Sequence, residues 1–593
     1  MTAIDIAPLL DAFVHELLAL DPVGATAAGL HDHDGRWPDM TEAGRTGRLA
    51  FLDRWEATLR AIAPDDLGPD GRVDRDLVLD EIAARRFHET DLREDRWDPL
   101  SWVYLMGAGI FPLLARDFAP LADRLSSVAG RFEGLDALLD AAEVSLVGTP
   151  GRPVARLHAE VALRQLPGIA DLVDEAERAA SDEAGDPAVA AVSPRLRAAA
   201  TGARARLERF RAHLEGEVLP ASEGEGRLGA DLYARTLRHT LRSDVASDAI
   251  RDRATREFAA VRSEMVRLAR AAWPSWVPDR PLPDPAAPGS DGEAVRTVLD
   301  AVGAVHPSGE GILAFCRTEL RAIEEFVRAH DLVGLPDDPL AIEWTPRFLR
   351  SLAGAMFDAP GPLDIGQRSF YYVTPVPDEW TSEQVESYLR ENNDRMLRLI
   401  TVHEAVPGHY LQLMASNRCP SLPRAVLGSG VFAEGWAVYV TQVMVDAGYG
   451  ADDPALLLSH WKYYLRAVAN ALLDLGVHAD GMTRDEAMRL MVDGAFQEAS
   501  EAERKWDRAR LSSTQLSTYF VGSAEMWDLE REVRRRRAEA SGDPRGAAAV
   551  PEPRVVGAFG ETPGFVRREH LEEVLGHGTP PIPLLRRLVL GEP

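Results

Sequence analysis

Cysteine is nearly absent from this chain of 593 residues, which contains only Cys316 and Cys419. Two cysteines cannot staple a fold of this size, and they cannot supply a thiolate metal site. Any metal centre must therefore use histidine and carboxylate ligands. With 46% hydrophobic residues, the chain is long and apolar enough for two or more domains or for one large helical body.

Positive charge is also scarce, since 66 lysines and arginines face 94 acidic residues and the net charge is -28. An acidic surface argues against nucleic acid and anionic membrane as partners. No window approaches the roughly 18 apolar residues of a membrane span. The first residues are apolar but interrupted by Asp5, Asp11 and Glu16, which indicates an amphipathic helix rather than a signal peptide. We therefore predict a cytoplasmic protein; the sequence does not give its oligomeric state.

Long runs of β-branched residues are rare, and residues 1 to about 215 follow the pattern of successive amphipathic helices. No fixed-period repeat indicates a solenoid. Residues 273–292 are dense in proline and cannot be helical throughout. We predict an N-terminal helical region at 1–272, a proline-rich linker at 273–292 and a C-terminal catalytic region at 293–593. The alternative is a surface excursion within one continuous body.

Two short segments, 341–345 and 369–374, are rich in β-forming residues and bounded by proline and glycine. They predict a small sheet just upstream of a buried helix. Its edge would suit pairing with an extended peptide, and Tyr372 is a candidate substrate contact; a hairpin that caps the core is the alternative. The predicted fold is mainly α, a large helical body with a small β-sheet next to a metal-binding helix.

Residues 400–413 carry the strongest chemical signal, because they combine an apolar helix pattern with His403, Glu404 and His409. The apolar neighbours predict a helix buried on most sides. Three polar side chains there need partners, since uncompensated burial costs roughly a few kcal/mol for each group. A metal ion would satisfy all three. The alternative is that both histidines are ordinary core residues.

The spacing between the two histidines requires a bend. Zinc-peptidase helices place two histidines four apart on one face, whereas here they are six apart, which turns the second imidazole away on a regular helix. Pro407 cannot donate a hydrogen bond to the His403 carbonyl, and Gly408 adds backbone freedom. We predict a kinked or bulged turn that brings His409 back beside His403. The alternative is that Pro-Gly ends the helix.

The next apolar helix, VFAEGWAVYVTQVM, contains Glu434 as its single acid. A carboxylate there is costly unless it is paired or metal-bound. Two histidines and one glutamate would leave a fourth position for water, as in hydrolytic zinc sites. Glu404 would then act as general base or orient an imidazole. We predict one Zn²⁺ ion, with iron(II) or another divalent metal as the alternative; a partly exposed Glu434 without metal would contradict this prediction.

A polar stripe marks a later apolar helix, where Arg466, Asn470, Asp474 and His478 recur every four residues. Residues with this spacing share one helix face. Asp474 is a candidate for orienting a ligand, and His478 for binding an oxyanion or the substrate. The alternative is a buried network that satisfies its own hydrogen bonds without any chemistry.

Gln515 and Tyr519 lie four apart and should share one side of a further helix. A phenol beside a polarised carbonyl stabilises a tetrahedral intermediate. Arg508 is suited to pair with a substrate carboxylate, and Arg466 would help to hold an anionic substrate in this acidic chain. The alternatives are a core aromatic residue at 519 and a surface charge at 508.

Four motifs, HEAVPGHYLQ, AEGWAVY, RAVANALLDLGVHADGMT and QLSTYFVG, resemble in order and spacing the bacterial family numbered 885 among domains of unknown function. The similarity extends over almost the whole chain. The resemblance implies a mainly helical zinc metallopeptidase of the gluzincin type. By position, it implies His403, His409 and Glu434 as ligands and Glu404 as base, and it matches Asp474, His478, Gln515 and Tyr519 to recurrent polar positions.

The chain departs from the family pattern at Tyr410, at Thr441 and at Ser513-Thr514. Thr441 replaces a frequent glutamate, so a carboxylate for a substrate amine is missing and the resemblance does not imply an aminopeptidase. We predict a zinc-dependent hydrolase that cleaves an amide bond in a peptide or peptide-like small molecule. The alternatives are the same site acting on a non-peptide amide or ester in a biosynthetic or degradative pathway, and a non-catalytic helical binding protein.

Overall fold

Helices dominate the computed structural model, and a single three-stranded sheet accompanies them in the described part of the chain, as the sequence predicted. The structure describes residues 4–346, 350, 354–377, 380–542 and 562–592.

The N-terminal helices form two hydrophobic cores. The first core includes Phe13, Leu52 and Trp55, and the second core includes Ile110 and Phe132. The helices are α1 Ala7–Leu20, α2 Pro22–Ala28, α3 Glu42–Arg60, α4 Pro69–Phe87, α5 Glu94–Trp97, α6 Pro99–Ala115, α7 Leu121–Glu133, α8 Leu135–Ser145, α9 Arg156–Asp182, α10 Pro187–His213, α11 Leu219–Ala221 and α12 Ala230–Leu241.

The proline-rich segment joins two helices that share one core. Met265 and Trp273 precede it and Val295 and Val298 follow it, and all four belong to the same buried cluster as the helices around residues 402–475. A shared core is what a surface excursion within one body requires. The helices here are α13 Ser247–Trp276, α14 Ser290–Gly303 and α15 Ile312–Ala329.

The sheet has the order β1-β3-β2, with β1 parallel and β2 antiparallel to the central strand. The predicted strands are confirmed as β1 and β3, whereas β2 was not predicted because its four residues carry no alternating pattern. Helix α15 and the helix that carries His403 cover one face of the sheet. On this face Tyr371 packs with Cys316 and Leu397. The strands are β1 Leu340–Trp344, β2 Ala355–Asp358 and β3 Ser369–Val373.

Two helices occupy the region from Trp380 to Glu404. Thr381 begins the first with a capping box, as expected for its position. Asn393 begins the second, accepting hydrogen bonds from the backbone of Arg395 and Met396 at 3.1 Å each. The helices are α16 Ser382–Glu391, α17 Asp394–Glu404, α18 His409–Ser416 and α19 Leu422–Val426.

Long apolar helices complete the C-terminal part of the chain, and α20, α21 and α24 pack against one another in the main core. The predicted helix around Glu434 is confirmed as α20. The elements are α20 Gly430–Asp446, α21 Pro454–His478, α22 Arg484–Met488, α23 Ala499–Leu511, α24 Gln515–Ala540, α25 Arg567–Gly576 and α26 Ile582–Leu590. Single 3₁₀ turns occur at His31–His33, Pro64–Asp66 and Gly309–Gly311, and π turns at His88–Leu92, Leu214–Val218 and Arg489–Gly494.

Within the described residues no single helix is both long and apolar enough to cross a bilayer. By length and composition alone, the pair Pro69–Trp97 and Pro99–Ala115 passes that test, with a bend of 100° between its members.

Candidate metal centre

The two histidines of the central motif lie on opposite sides of a break between helices. His403 is in the last turn of α17, and His409 is the first residue of α18. Their rings are nearly perpendicular, with centroids 4.7 Å apart. The bend was predicted as a kink within one helix. The helix instead ends at Glu404 and a new one begins after four residues, yet the predicted juxtaposition of the two imidazoles is present.

Hydrogen bonds to its backbone hold the connection between the helices, residues 405–408, in place. Its Val406-Pro407 peptide is cis. The Gly408 N–H donates to the Val402 carbonyl at 3.1 Å, and the Trp436 indole donates to the Pro407 carbonyl at 2.8 Å. A β-carbon added at Gly408 would lie 1.9 Å from the His403 carbonyl oxygen. Glycine is therefore required for this close approach of the backbone.

Glu434 of α20 completes a cluster of three potential ligands. Its Oε2 lies 3.6 Å from Nε2 of His403 and 3.5 Å from Nε2 of His409. One potential ligand atom from each residue lies within 4.8 Å of the other two. The three side chains predicted as ligands are thus brought together by α17, α18 and α20.

The geometry of this cluster fits a metal ion better than it fits direct hydrogen bonds. Ligand atoms about 2.0–2.2 Å from one ion at tetrahedral angles are roughly 3.3–3.6 Å apart, which matches both measured separations. The Glu434 Oε2 is buried and has no hydrogen-bond partner in the described part of the structure, a costly state for a carboxylate. Two imidazoles and one carboxylate are a donor set that suits zinc, and also iron(II).

Electrostatics favour charge on Glu434 and oppose it on Glu404. Burial alone would raise the pKa of Glu434, but the two imidazoles lower that pKa by more, to well below its usual range. Burial also raises the pKa of Glu404, and the two imidazoles only partly oppose this increase. The backbone N–H of Phe357 in β2 donates to the Glu404 carboxylate. The unpredicted strand therefore positions the predicted general base.

Tyr463 of α21 is a residue of the site that the sequence did not single out. Its ring packs edge-on against His403, with centroids 5.7 Å apart. Burial raises the pKa of its hydroxyl, and nearby Glu404 and Glu434 add to the increase, so the phenol is neutral. Because Tyr463 precedes Arg466 by three residues on the same helix face, the polar stripe could have revealed it.

Gln515, Tyr519 and Arg508 form one hydrogen-bonded group, as their spacing suggested. The Gln515 amide donates to the Tyr519 hydroxyl at 3.2 Å. Arg508 donates to the Gln515 Oε1 at 2.8 Å and to the Tyr519 hydroxyl at 3.3 Å. Burial raises the pKa of Tyr519, and the charge of Glu434 adds to that increase. Gln515 and Tyr519 lie on α24, which packs against α20, the helix that carries Glu434.

The polar stripe of α21 extends over two separate parts of the structure. Arg466 and Asp474 are eight residues apart, which is about 12 Å along the helix. Arg466 is at the site, with its guanidinium 5.6 Å from the Tyr463 ring centre. Further along, Asp474 accepts hydrogen bonds from Tyr233 at 2.9 Å and from Ser517 at 2.7 Å. This second part of the stripe forms a buried hydrogen-bonded network, which was the alternative to a catalytic role.

His478 belongs to this network, and its ring nitrogens contact backbone groups. Nε2 lies 2.7 Å from the Ala509 carbonyl, and Nδ1 lies 3.4 Å from the Leu228 nitrogen. A neutral ring that donates from Nε2 and accepts at Nδ1 satisfies both contacts, and burial lowers its pKa. These contacts leave no ring nitrogen for an oxyanion or a substrate, so they do not support the predicted catalytic role.

Tyr372 lies on the other face of the sheet from the helix that carries His403. Successive residues of a strand alternate between faces, and its neighbour Tyr371 points to Thr401 of α17, with 3.4 Å between the hydroxyl oxygens. Tyr372 instead stacks on Phe370, with ring centroids 5.2 Å apart. Its predicted contact with substrate therefore has no support in this arrangement.

Comparison with known proteins gives a family and a shared fold. The family model described as "Bacterial protein of unknown function (DUF885)" matches residues 22–589. No curated protein matches the chain. A Shewanella oneidensis protein, described as a "putative lipoprotein of unknown function", aligns over 99% of this chain and 100% of its own with a TM-score of 0.78 and 29% identity. A "putative lipoprotein" from Colwellia psychrerythraea aligns over 99% and 98% with a TM-score of 0.73 and 16% identity.

Proposed function

The chain belongs to the DUF885 family, whose function is unknown, and from the chemistry of its site we propose that it is a zinc-dependent hydrolase of the gluzincin type. It would cleave an amide bond in a peptide or peptide-like small molecule. The observation that carries the proposal is the convergence of His403, His409 and Glu434 with a buried, unpartnered carboxylate oxygen. The predicted cytoplasmic location stays a prediction, since "lipoprotein" describes the two relatives only.

His403, His409 and Glu434 would hold the ion. When bound, zinc supplies a Lewis acid that polarises a carbonyl and makes water more acidic. The low pKa of Glu434 keeps its carboxylate ionised and ready to bind a cation.

Glu404 is the proposed general base. It follows the ligand His403 directly, and the Phe357 N–H fixes its carboxylate. A carboxylate with a raised pKa accepts a proton from the attacking water more readily than an ordinary glutamate does, and it can then deliver that proton to the leaving nitrogen.

Tyr463 and Tyr519 supply neutral O–H groups near the reacting carbonyl. In the described structure the Tyr463 hydroxyl has no hydrogen-bond partner, whereas the Tyr519 hydroxyl already contacts Arg508 and Gln515. A free donor aimed at developing negative charge lowers the barrier without reorganisation. We assign oxyanion stabilisation to Tyr463 first, with Tyr519 as the second donor.

Strand β2 offers an edge for an extended substrate. It pairs only with β3 among the described strands, and its Phe357 N–H donates to Glu404. A peptide that adds to such an edge gains main-chain hydrogen bonds and passes the general base. A non-peptide amide or ester would use the same ligands and base without needing this edge.

Metal analysis and one conservative substitution test the proposal. Protein purified without added zinc should contain about one metal ion for each chain. Glu404→Gln should retain that metal and lose turnover by roughly 10²-fold or more, whereas Glu434→Gln should lose metal. Glu160→Gln is the matched control, because this glutamate is 41% exposed and, among the residues that the structure describes, pairs only with Arg156.

Absence of stoichiometric metal would reject the metal centre. The non-catalytic binding protein would be favoured by a different result. In that case wild-type and Glu404→Gln protein would both retain metal, bind the substrate equally well and hydrolyse nothing. A screen of dipeptides, N-acyl amino acids and esters separates peptide hydrolysis from action on a non-peptide substrate.

A further inference from the structure

Three basic side chains gather beside the two site tyrosines, although the protein as a whole is strongly acidic. Arg466 comes from α21, and Lys505 and Arg508 come from α23. Lys505 is only 4% exposed. Its burial, together with the charges of Arg466 and Arg508, lowers its pKa well below the usual range. This shift favours the neutral amine of Lys505, and an anion bound beside it would favour the charged form.

The nearby carboxylates do not neutralise this group. Glu391 is bound by Lys462 at 2.8 Å, and its other oxygen is 3.8 Å from Arg466. Glu501 is bound by Arg504 at 2.7 Å, and its other oxygen is 3.9 Å from Lys505.

Arg508 forms no ion pair among the described residues and donates only to the neutral groups of Gln515 and Tyr519. Four other basic side chains share the two carboxylates: Lys462 and Arg466 contact Glu391, and Arg504 and Lys505 contact Glu501. A positive charge in a buried position is costly unless an anion accompanies it. A guanidinium that lacks a carboxylate partner also has a fork of donors available for a planar anion.

Arg466 is close enough to the metal ligands for a short substrate to reach both. Arg466 lies 5.6 Å from the Tyr463 ring centre, and that centre lies 5.7 Å from the His403 ring centre. Arg466 and the ligand are therefore separated by no more than the total of these two distances. A carbonyl beside the ligands and a carboxylate beside the arginine would each take up part of this span, which leaves room for one residue of about 3.5 Å.

We propose that Arg466, Lys505 and Arg508 form a pocket for the free α-carboxylate of the substrate, located one residue beyond the bond that is cut. This inference rests on the proposed hydrolase function and specifies its substrate class: peptides, or N-acyl amino acids, whose carboxy-terminal residue is released. A substrate amine would instead need an unpaired carboxylate, and both acids of this group already have cationic partners.

Two matched libraries of N-acetyl dipeptides test the pocket, one with free carboxylates and one with carboxy-terminal amides. Wild-type protein with metal should cleave the free acids at least tenfold faster, compared as kcat/KM. Arg508→Gln should reduce that preference by tenfold or more, mainly through KM for the free acids. Arg328→Gln is the matched control, since this arginine is 60% exposed and lies in the last turn of α15.

Calorimetry on Glu404→Gln protein supplies a readout that does not depend on turnover. The best acid and its amide from the libraries, or the whole mixtures when nothing is cleaved, should differ at least tenfold in affinity, and Lys505→Met or Arg508→Gln should remove the difference. Circular dichroism of each variant identifies loss of fold.

The two proposals fail in different ways. Equal hydrolysis of acids and amides would overturn the carboxylate pocket and leave the hydrolase in place. Preferential binding of acids without hydrolysis by wild-type protein would overturn the hydrolase and leave the pocket. Equal affinity for acids and amides in the Glu404→Gln protein would overturn the pocket whatever the turnover.

Discussion

The backbone of Gly435 in α20 lies directly against that of Gly522 in α24. A β-carbon added at Gly435 would lie 2.5 Å from the Gly522 Cα, and one added at Gly522 would lie 2.2 Å from the Val431 carbonyl oxygen. Gly435 follows the ligand Glu434, and Gly522 comes three residues after Tyr519. This contact between two glycines therefore sets the distance between the third ligand and the phenol.

Gly522→Ala should damage both stability and the site. Because the atoms that a new methyl group meets belong to the backbone, the helices must move apart, at a cost of about 1–3 kcal/mol. We expect lower metal content and a lower kcat in the protein that still folds. Urea unfolding and metal analysis measure these effects.

Gly430→Ala is the control for this substitution, since Gly430 lies on α20, the helix that Gly522 contacts, with nothing within 4 Å of an added β-carbon. It should be neutral or slightly stabilising, by up to about 1 kcal/mol. Equal stability and metal content in both variants would show that the helices do not depend on the glycine contact.

Tyr463→Phe should lower kcat by roughly 10²–10³-fold without loss of metal, because it removes a free donor to the developing oxyanion. Tyr519→Phe should act mainly on KM, since its hydroxyl is a partner of Arg508 and Gln515. Steady-state kinetics and metal analysis of both variants distinguish these roles. A larger loss of kcat in Tyr519→Phe than in Tyr463→Phe would reverse the assignment.

The three potential ligands could be predicted because their burial and chemistry conflict. The sequence alone shows polar side chains among apolar neighbours at His403, His409 and Glu434, and such groups are costly to bury without partners. Their convergence could be expected from Pro407 and Gly408, which exclude a regular helix. The form of the break could not be predicted, because it depends on the indole of Trp436, which reaches the Pro407 carbonyl from another helix.

Other parts of the site depend on contacts that no local pattern contains. Strand β2 is four residues long and is defined by its pairing with β3, so periodicity gave no signal for it. Lys505 looks like an ordinary helix residue in the sequence, and it is buried where α23 packs against its neighbours. The catalytic role predicted for His478 lacks support for a different reason. Its spacing placed it on the same face of α21 as Arg466, but the sequence did not show which end of that face lies at the site.

Tyr233→Phe should reduce stability and leave catalysis intact. It removes one hydrogen bond to the buried carboxylate of Asp474, which costs about 1–3 kcal/mol, and it touches none of the proposed ligands. Turnover at low temperature should stay within twofold of wild type, while the urea midpoint falls. Loss of turnover at unchanged stability would indicate that Asp474 and His478 take part in the reaction after all.

A pH-dependent ion pair joins the N-terminal helices to the segment between β2 and β3. Nδ1 of His31 lies 2.9 Å from Asp34, and Nε2 lies 3.1 Å from Asp364. The ring also stacks on Phe118, with centroids 3.6 Å apart. Burial by itself would lower the pKa of His31, but the two carboxylates raise that pKa to about 9.

His31→Gln should therefore destabilise the protein at mildly acid pH and have little effect at alkaline pH. The folded state holds the proton more tightly than an unfolded histidine of pKa about 6.5. The stabilisation is fully present below about pH 6.5 and is lost as the pH rises through about 9. Because the ring is 28% exposed, solvent screening limits the difference to about 1–2 kcal/mol. Urea unfolding at about pH 6 and about pH 9.5 measures it against His15→Asn, an exposed control. A constant difference between wild type and His31→Gln across this range would mean that His31 stabilises the protein by packing alone.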